Sequence, residues 1–258
     1  MDILDKTKNF YKKSRLNKGV ILNTDGKNKI YYFEVFKSLR PRLIVQYCIH
    51  AREYITSYLA LKQILRFSRV GKKGHVIFIP ILNPDGVAVC LNGKPNYKAN
   101  LSGVDLNVNF DAKWGTGEKN VHIPGDENYV GRCPFSEKET LALKDFTLKF
   151  NPDFTISYHS KGEEIYYDFN QDEVVKKRDL RFANIVKRVT GYKIVEGLKS
   201  AGGFKDWCID KLKIPSLTIE VGKDALTHPI GKSNLSKIYK KNKNVITAIT
   251  ESKLWKNL

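Results

Sequence analysis

The chain is expected to fold as an α/β domain, a mixed, mostly parallel twisted sheet with helices on both faces. Two observations carry this. Apolar runs at Leu43 to Ile49 and Val76 to Leu82, and short strands over Asp153 to Tyr158 and Ser216 to Val221, alternate with longer stretches of helical period. A strand, helix, strand order at this spacing implies right-handed crossovers and parallel pairing. With 258 residues, 41% of them apolar, the chain can bury one substantial core, so a single domain over 1–258 is expected.

Residues 1 to 18 read as a short polar helix or an arm. Gly19 to Leu22 and Ile30 to Phe36 are β-rich and flank the turn signal Asn23-Thr-Asp-Gly26, so an antiparallel hairpin should open the fold. A strand over 42 to 49 follows, then a helix from Glu53 to about Ser68, set by Tyr54, Tyr58, Leu61 and Leu65 and broken at Gly71. In the next strand Pro80 argues for a strand end or an edge. From Asn83 to Arg132 the chain is rich in Gly, Asn, Asp and Lys and reads as a long loop, which in a compact domain is more often functional than idle. Ser136-Glu-Lys-Glu139 has the spacing of a capping box and starts a helix to about Phe150. Further helices are expected over 172 to 190, over Phe204 to Leu212, and from about Lys232 to Lys253.

Composition excludes some classes of function. No stretch of about 18 apolar residues exists, so no membrane-spanning helix is expected. The start Met-Asp-Ile-Leu-Asp-Lys lacks the apolar core of an export signal, and Cys48, Cys90, Cys133 and Cys208 have no Cys-x-x-Cys spacing. Reduced thiols in a cytoplasmic protein are the reading. The formal charge of +18 comes mostly from dispersed lysine, without a compact arginine stripe beside aromatics. That argues against nucleic acid and for an acidic peptide or wall polymer drawn in by a positive field.

The chemistry concentrates at strand ends. His50 and Glu53 follow the apolar run 43 to 49, on the strand-to-helix turn where open α/β sheets place their ligand sites. His-x-x-Glu alone recurs by chance, but other stretches stand in order behind it. They are Asn83-Pro-Asp-Gly86, Gly103-Val-Asp-Leu-Asn-Val-Asn-Phe110, Ser157-Tyr-His-Ser-Lys-Gly-Glu163, Gly202-Gly-Phe-Lys-Asp-Trp207 and Leu217-Thr-Ile-Glu-Val-Gly222. Together they make the chain resemble the zinc carboxypeptidase family over nearly its whole length.

The resemblance implies one Zn2+ held by His50, Glu53 and His159, with an open fourth position as in catalytic zinc sites. It implies Glu220 as general base and acid, an otherwise unexplained carboxylate at the end of an apolar strand. Lys98 matches an arginine that steadies the developing oxyanion, though lysine lacks the planar fork. Asp105 is a candidate to orient His50. His75, His122 and His228 have no partner at useful spacing and are read as structural or exposed.

Departures from the pattern bear on the substrate. Where carboxypeptidases hold a terminal carboxylate with Asn-Arg, this chain has Asn107-Val108. Leu198 matches the tyrosine that covers substrate. Lys205 matches the residue lining the specificity pocket and suggests an acidic group on the leaving side, and Arg132 is a second candidate to meet an anion. With His159-Ser-Lys-Gly-Glu-Glu-Ile-Tyr166, this pattern resembles the bacterial branch that cleaves γ-D-glutamyl-meso-diaminopimelate in peptidoglycan-derived peptides. The alternatives are a carboxypeptidase or deglutamylase for ordinary peptides, and an inactive binding module for wall fragments or polyanions.

Overall fold

The computed structural model describes residues 1–125, 127–197 and 199–256. In chain order the regular elements are α1 (Ile3–Lys13), β1 (Asn17–Asn23), β2 (Lys29–Phe36), β3 (Arg42–Tyr47), α2 (Ile55–Val70), β4 (His75–Ile79) and α3 (Pro84–Leu91). Then come α4 (Lys138–Phe150), β5 (Phe154–His159), β6 (Glu164–Tyr166), α5 (Glu173–Thr190), β7 (Lys193–Val195), α6 (Phe204–Asp210), β8 (Ser216–Glu220), α7 (Leu235–Asn242) and α8 (Val245–Thr250). The strands form one eight-stranded sheet in the order β1-β2-β4-β3-β5-β8-β6-β7. β4, β3, β5 and β8 run parallel at its centre, while β1, β2 and β4 pair antiparallel, as do β8 and β6.

Alternation along the central strands divides the core. Leu43, Val45, Val76 and Phe78 pack with α1, α2, α5, α7 and α8 on one face, while Ile44, Ile77 and Ile79 pack with α4 and α6 on the other. Both faces are covered, which is why β3 and β5 are buried almost throughout. Pro80 falls just past the end of β4, an inner strand, so the end and not the edge accounts for it.

Four readings of the sequence need correction. α3 lies inside the stretch taken as loop; Asn83 caps it by accepting from the Gly86 N–H at 2.9 Å, with Pro84 in its first turn. The capping box does not form: Glu137 is the N-cap residue, and Ser136 donates to Glu137 Oε1 and accepts from Asn109. Glu139 is buried and takes a long-range bond from Asn100, which outcompetes the local one. The expected helix from Lys232 to Lys253 is broken between α7 and α8, where Arg66 donates to the Lys243 carbonyl and the Asn244 side chain. β6 and β7, three residues each, are too short to show a period. Leu198, matched in sequence to the tyrosine that covers substrate, lies outside the described residues.

Asp85 ties α3 to the first hairpin. Its buried carboxylate accepts from Thr24 Oγ1 at 2.7 Å, the Gly26 N–H at 2.8 Å and Asn28 Nδ2 at 2.8 Å. A Cβ at Gly26 would lie 2.6 Å from that carboxylate, so only glycine lets the turn approach. Asp85→Ala is expected to cost about 2–3 kcal/mol, read from urea midpoints, because three bonds to a charged acceptor vanish together.

Candidate metal centre and active site

Three parallel strands deliver their chemistry to one carboxyl edge. Tyr47 of β3 lies opposite Tyr158 of β5, the rings stacked at 4.8 Å, and His159 of β5 lies opposite Glu220 of β8. Beyond β3 the chain turns sharply at Cys48, buried with φ 55°, a left-handed conformation unfavourable for a residue with a Cβ. Asn83 Nδ2, donating to the Ile49 and Ala99 carbonyls, and the Ala51 N–H, donating to the Lys98 carbonyl, pin the loop that follows. A short 3-10 turn over Ala51–Glu53 then brings Glu53 round beside His50.

The result is a buried group of three donors. His50 Nδ1 lies 2.8 Å from Glu53 Oε1 and 3.2 Å from His159 Nδ1, and His159 Nδ1 lies 3.1 Å from Glu53 Oε2. Ligand atoms about 2.0–2.1 Å from a tetrahedral ion sit about 3.3 Å from one another, so these separations are close to those a zinc ion needs. Asp105 Oδ1, 3.2 Å from His50 Nε2, fixes that ring by its far nitrogen and leaves Nδ1 to face the cluster. Two imidazole nitrogens and a carboxylate converging on one point are the donor types a zinc ion takes. The residues fit the metal.

Electrostatics agree with the geometry. Burial alone would push the His50 imidazole down, but the carboxylates of Glu53 and Asp105 outweigh it and lift its pKa to about 9. Burial pushes His159 below its ordinary value, so it is neutral and ready to bind. Burial would raise Glu53 too, but His50 and His159 hold it well below the usual carboxylate range. Glu220 goes the other way: burial, then the charge of Glu53, raise its pKa well above the ordinary value. Its Oε2 is buried without a hydrogen-bond partner.

His50, Asp105, His159 and Glu220 line a cavity of about 350 Å³ that also takes in Lys98, Asn107, Val108, Tyr166, Lys205 and Thr218. Lys98 Nζ sits 2.7 Å from Asp105 Oδ2 and donates to Asn128 Oδ1 at 2.5 Å. Asn107 Oδ1 accepts from the Phe204 N–H at the start of α6, so part of its role is to seat that helix. The structure thus brings together His50, Glu53, His159, Glu220, Lys98, Asn107 and Lys205. Arg132 is not with them: it is exposed and lines a separate pocket beside Asn100, Glu137 and Glu139, drawn there by the turn at Gly131. His75 pairs with Glu34 and His122 is exposed beside Trp114.

Sequence reasoning missed Thr218, Tyr166 and Asn128. Thr218 was legible, since it stands two residues before Glu220 on the same strand face. Asn128 approaches Lys98 across 30 residues of irregular chain, and no local signal announces that.

Lys98→Met is expected to keep the metal and lower turnover at least about tenfold, because the cation that lines the cavity beside Asp105 and His50 is lost. Lys98→Arg should restore most of that loss, as read by kcat beside zinc content.

An open α/β sheet carrying two histidines, a glutamate and an unpartnered acid at its carboxyl edge is the scaffold of a one-metal hydrolase. Comparison with known proteins gives the family: zinc carboxypeptidase sequences match residues 12–245, and the chain belongs to the zinc carboxypeptidase family. Zinc is the metal the family is named for, and His50, Glu53 and His159 form a group that could hold one ion. It is 30% identical over 191 residues to gamma-D-glutamyl-L-diamino acid endopeptidase 1 of Lysinibacillus sphaericus, covering 66% of this chain and 47% of that one. It is 27% identical over 239 residues to the uncharacterized protein YqgT of Bacillus subtilis (strain 168), covering 76% of this chain and 61% of that one. The chain therefore spans about half to three fifths of these relatives.

Solved structures bear out the fold. Bovine thrombin-activatable fibrinolysis inhibitor, in complex with tick carboxypeptidase inhibitor, superimposes with a TM-score of 0.85 at 22% identity, over 99% of this chain and 95% of that one. Murein-tripeptide amidase MpaA of Escherichia coli O157 does so at 0.63 and 19%, over 92% of each chain. No helix among the described residues is long and apolar enough to cross a membrane, and the four cysteines are free.

Proposed function

We propose that the chain hydrolyses the γ-D-glutamyl-meso-diaminopimelate amide of peptidoglycan-derived peptides. The observation that carries this is Val108, which lines the cavity beside Asn107 where the family pattern has an arginine. A valine cannot form the bidentate pair that anchors a free chain end. The gamma-D-glutamyl-L-diamino acid endopeptidase among the relatives supports the same reading.

When bound, zinc polarises a carbonyl oxygen and lowers the pKa of a coordinated water to about 7. The remaining work falls to side chains. Glu220, its Oε2 free and its proton affinity raised, takes a proton from the attacking water and passes it to the leaving amine. Lys98 offers positive charge as the carbonyl oxygen becomes negative, and Asp105 keeps both Lys98 and His50 oriented. Burial excludes competing bulk water from His50, Glu53 and His159.

The test compares the zinc-loaded protein on L-alanyl-γ-D-glutamyl-meso-diaminopimelate and on ordinary peptides with free or amidated carboxyl ends, the products read by mass. Cleavage at the γ-D-glutamyl bond is expected. Hydrolysis of ordinary peptides alone, with strong dependence on the free carboxyl, would instead make it a carboxypeptidase.

A further inference from the structure

Lys205 is expected from sequence to act as a cation for an acidic group, yet it is not a free charge. Its Nζ lies 2.6 Å from Asp206 Oδ1 and donates to the Asp168 carbonyl at 2.7 Å. Both side chains are nearly fully buried, at 7% and 4% exposure, and both line the cavity. Asp206 Oδ2 is occupied by the Gly203 N–H at 3.0 Å, whereas Oδ1 has no hydrogen-bond partner beyond its ion pair with Lys205. An ammonium has three donors, so one N–H of Lys205 remains. The wall therefore sets one spare donor on a cation beside a buried, unshared acceptor on an anion.

From this we propose that the Lys205–Asp206 pair reads a zwitterion: a leaving residue whose side chain ends in both an ammonium and a carboxylate, as in a diamino dicarboxylic acid. The nitrogen and the nearer carboxylate oxygen of such an end lie about 2.7 Å apart by covalent geometry, close to the separation of the two protein atoms. Laid antiparallel, the ligand carboxylate takes the Lys205 N–H and the ligand ammonium donates to Asp206 Oδ1. A side chain with a carboxylate alone meets the charge of Asp206 as it reaches Lys205. One with an ammonium alone meets Lys205 as it reaches Asp206. In a buried, poorly screened wall each mismatch is felt strongly. This assignment rests on the proposed function for the bond cleaved, but the pair's preference can be measured apart from cleavage.

Four γ-D-glutamyl amides serve as substrates for the zinc-loaded protein, with meso-diaminopimelate, L-lysine, L-2-aminopimelate or L-norleucine as leaving residue. The diaminopimelate amide is expected to exceed each of the others at least about tenfold in kcat/KM, since a site built for two polar partners rejects analogues lacking one. Lys205→Met should shift preference from aminopimelate toward lysine, and Asp206→Asn, which keeps the acceptor for Gly203, should shift it the other way. Aminopimelate cleaved as well as diaminopimelate, or variants that slow all four amides equally, would overturn the proposal. Calorimetry of free meso-diaminopimelate, lysine and aminopimelate with the Glu220→Gln protein supplies the second readout. Selective binding of diaminopimelate without cleavage of any amide would sink the proposed function and keep the pair's role; cleavage without selectivity would do the reverse.

Discussion

Glu220→Gln is expected to leave zinc bound and the fold intact while turnover falls at least about 100-fold, the usual scale for a lost general base. The substitution keeps shape and removes only the capacity to accept a proton. Nothing else depends on the charge: Oε2 has no hydrogen-bond partner, and Glu220 is not among the three metal donors. Burial and the charges of Glu53 and Glu164 already disfavour the ionised form, so the metal-free variant should be at least as resistant to heat as the parent. Zinc content, melting temperature and kcat on the γ-D-glutamyl tripeptide give the three readings. A variant that turns over at the parent rate would remove Glu220 from the chemistry.

The same residue shows why the active site is legible in sequence and its surroundings are not. His50 lies just past β3 while His159 and Glu220 end β5 and β8, and in a parallel sheet such strand ends share one edge, so local pattern is enough to gather them. Glu53 comes with His50 because a single turn separates them. Lys205 lines the cavity, but its neutralisation by Asp206 depends on side-chain direction at the start of α6, which spacing alone does not give. Arg132 and Asn128 lie in the long Asn83 to Arg132 stretch, where contacts span tens of residues without periodicity. There sequence suggested one anion-binding residue that lies elsewhere and overlooked a partner of Lys98. The broken carboxyl-terminal helix has the same origin, since Arg66, far away in the chain, takes the acceptors at Lys243 and Asn244.

Zinc affinity is expected to rise steeply with pH, about tenfold per unit below pH 9, because the metal must displace a proton from His50. The sign follows from the environment. Glu53 and Asp105 together lift His50 to about 9, so at neutral pH the metal-free imidazole is charged, its Nδ1–H lying 2.8 Å from Glu53 Oε1 where a cation would otherwise draw that oxygen. Burial favours the neutral form of His159, and the two histidines hold Glu53 ionised, so the proton on His50 dominates the slope. Between pH 6 and pH 8 the apparent affinity should therefore change about 100-fold, with one proton released per ion, measurable by titration calorimetry in buffers of different ionisation enthalpy. Stability of the metal-free protein should run the opposite way. A raised histidine pKa contributes fully below the unfolded value of about 6.5 and is lost as pH climbs through 9. Asp105→Asn removes one of the two carboxylates that hold the proton, so its affinity curve should level off at a lower pH than the parent's. A flat affinity across this range would mean that His50 carries no proton for zinc to displace, and that its two carboxylates do not act on it as placed.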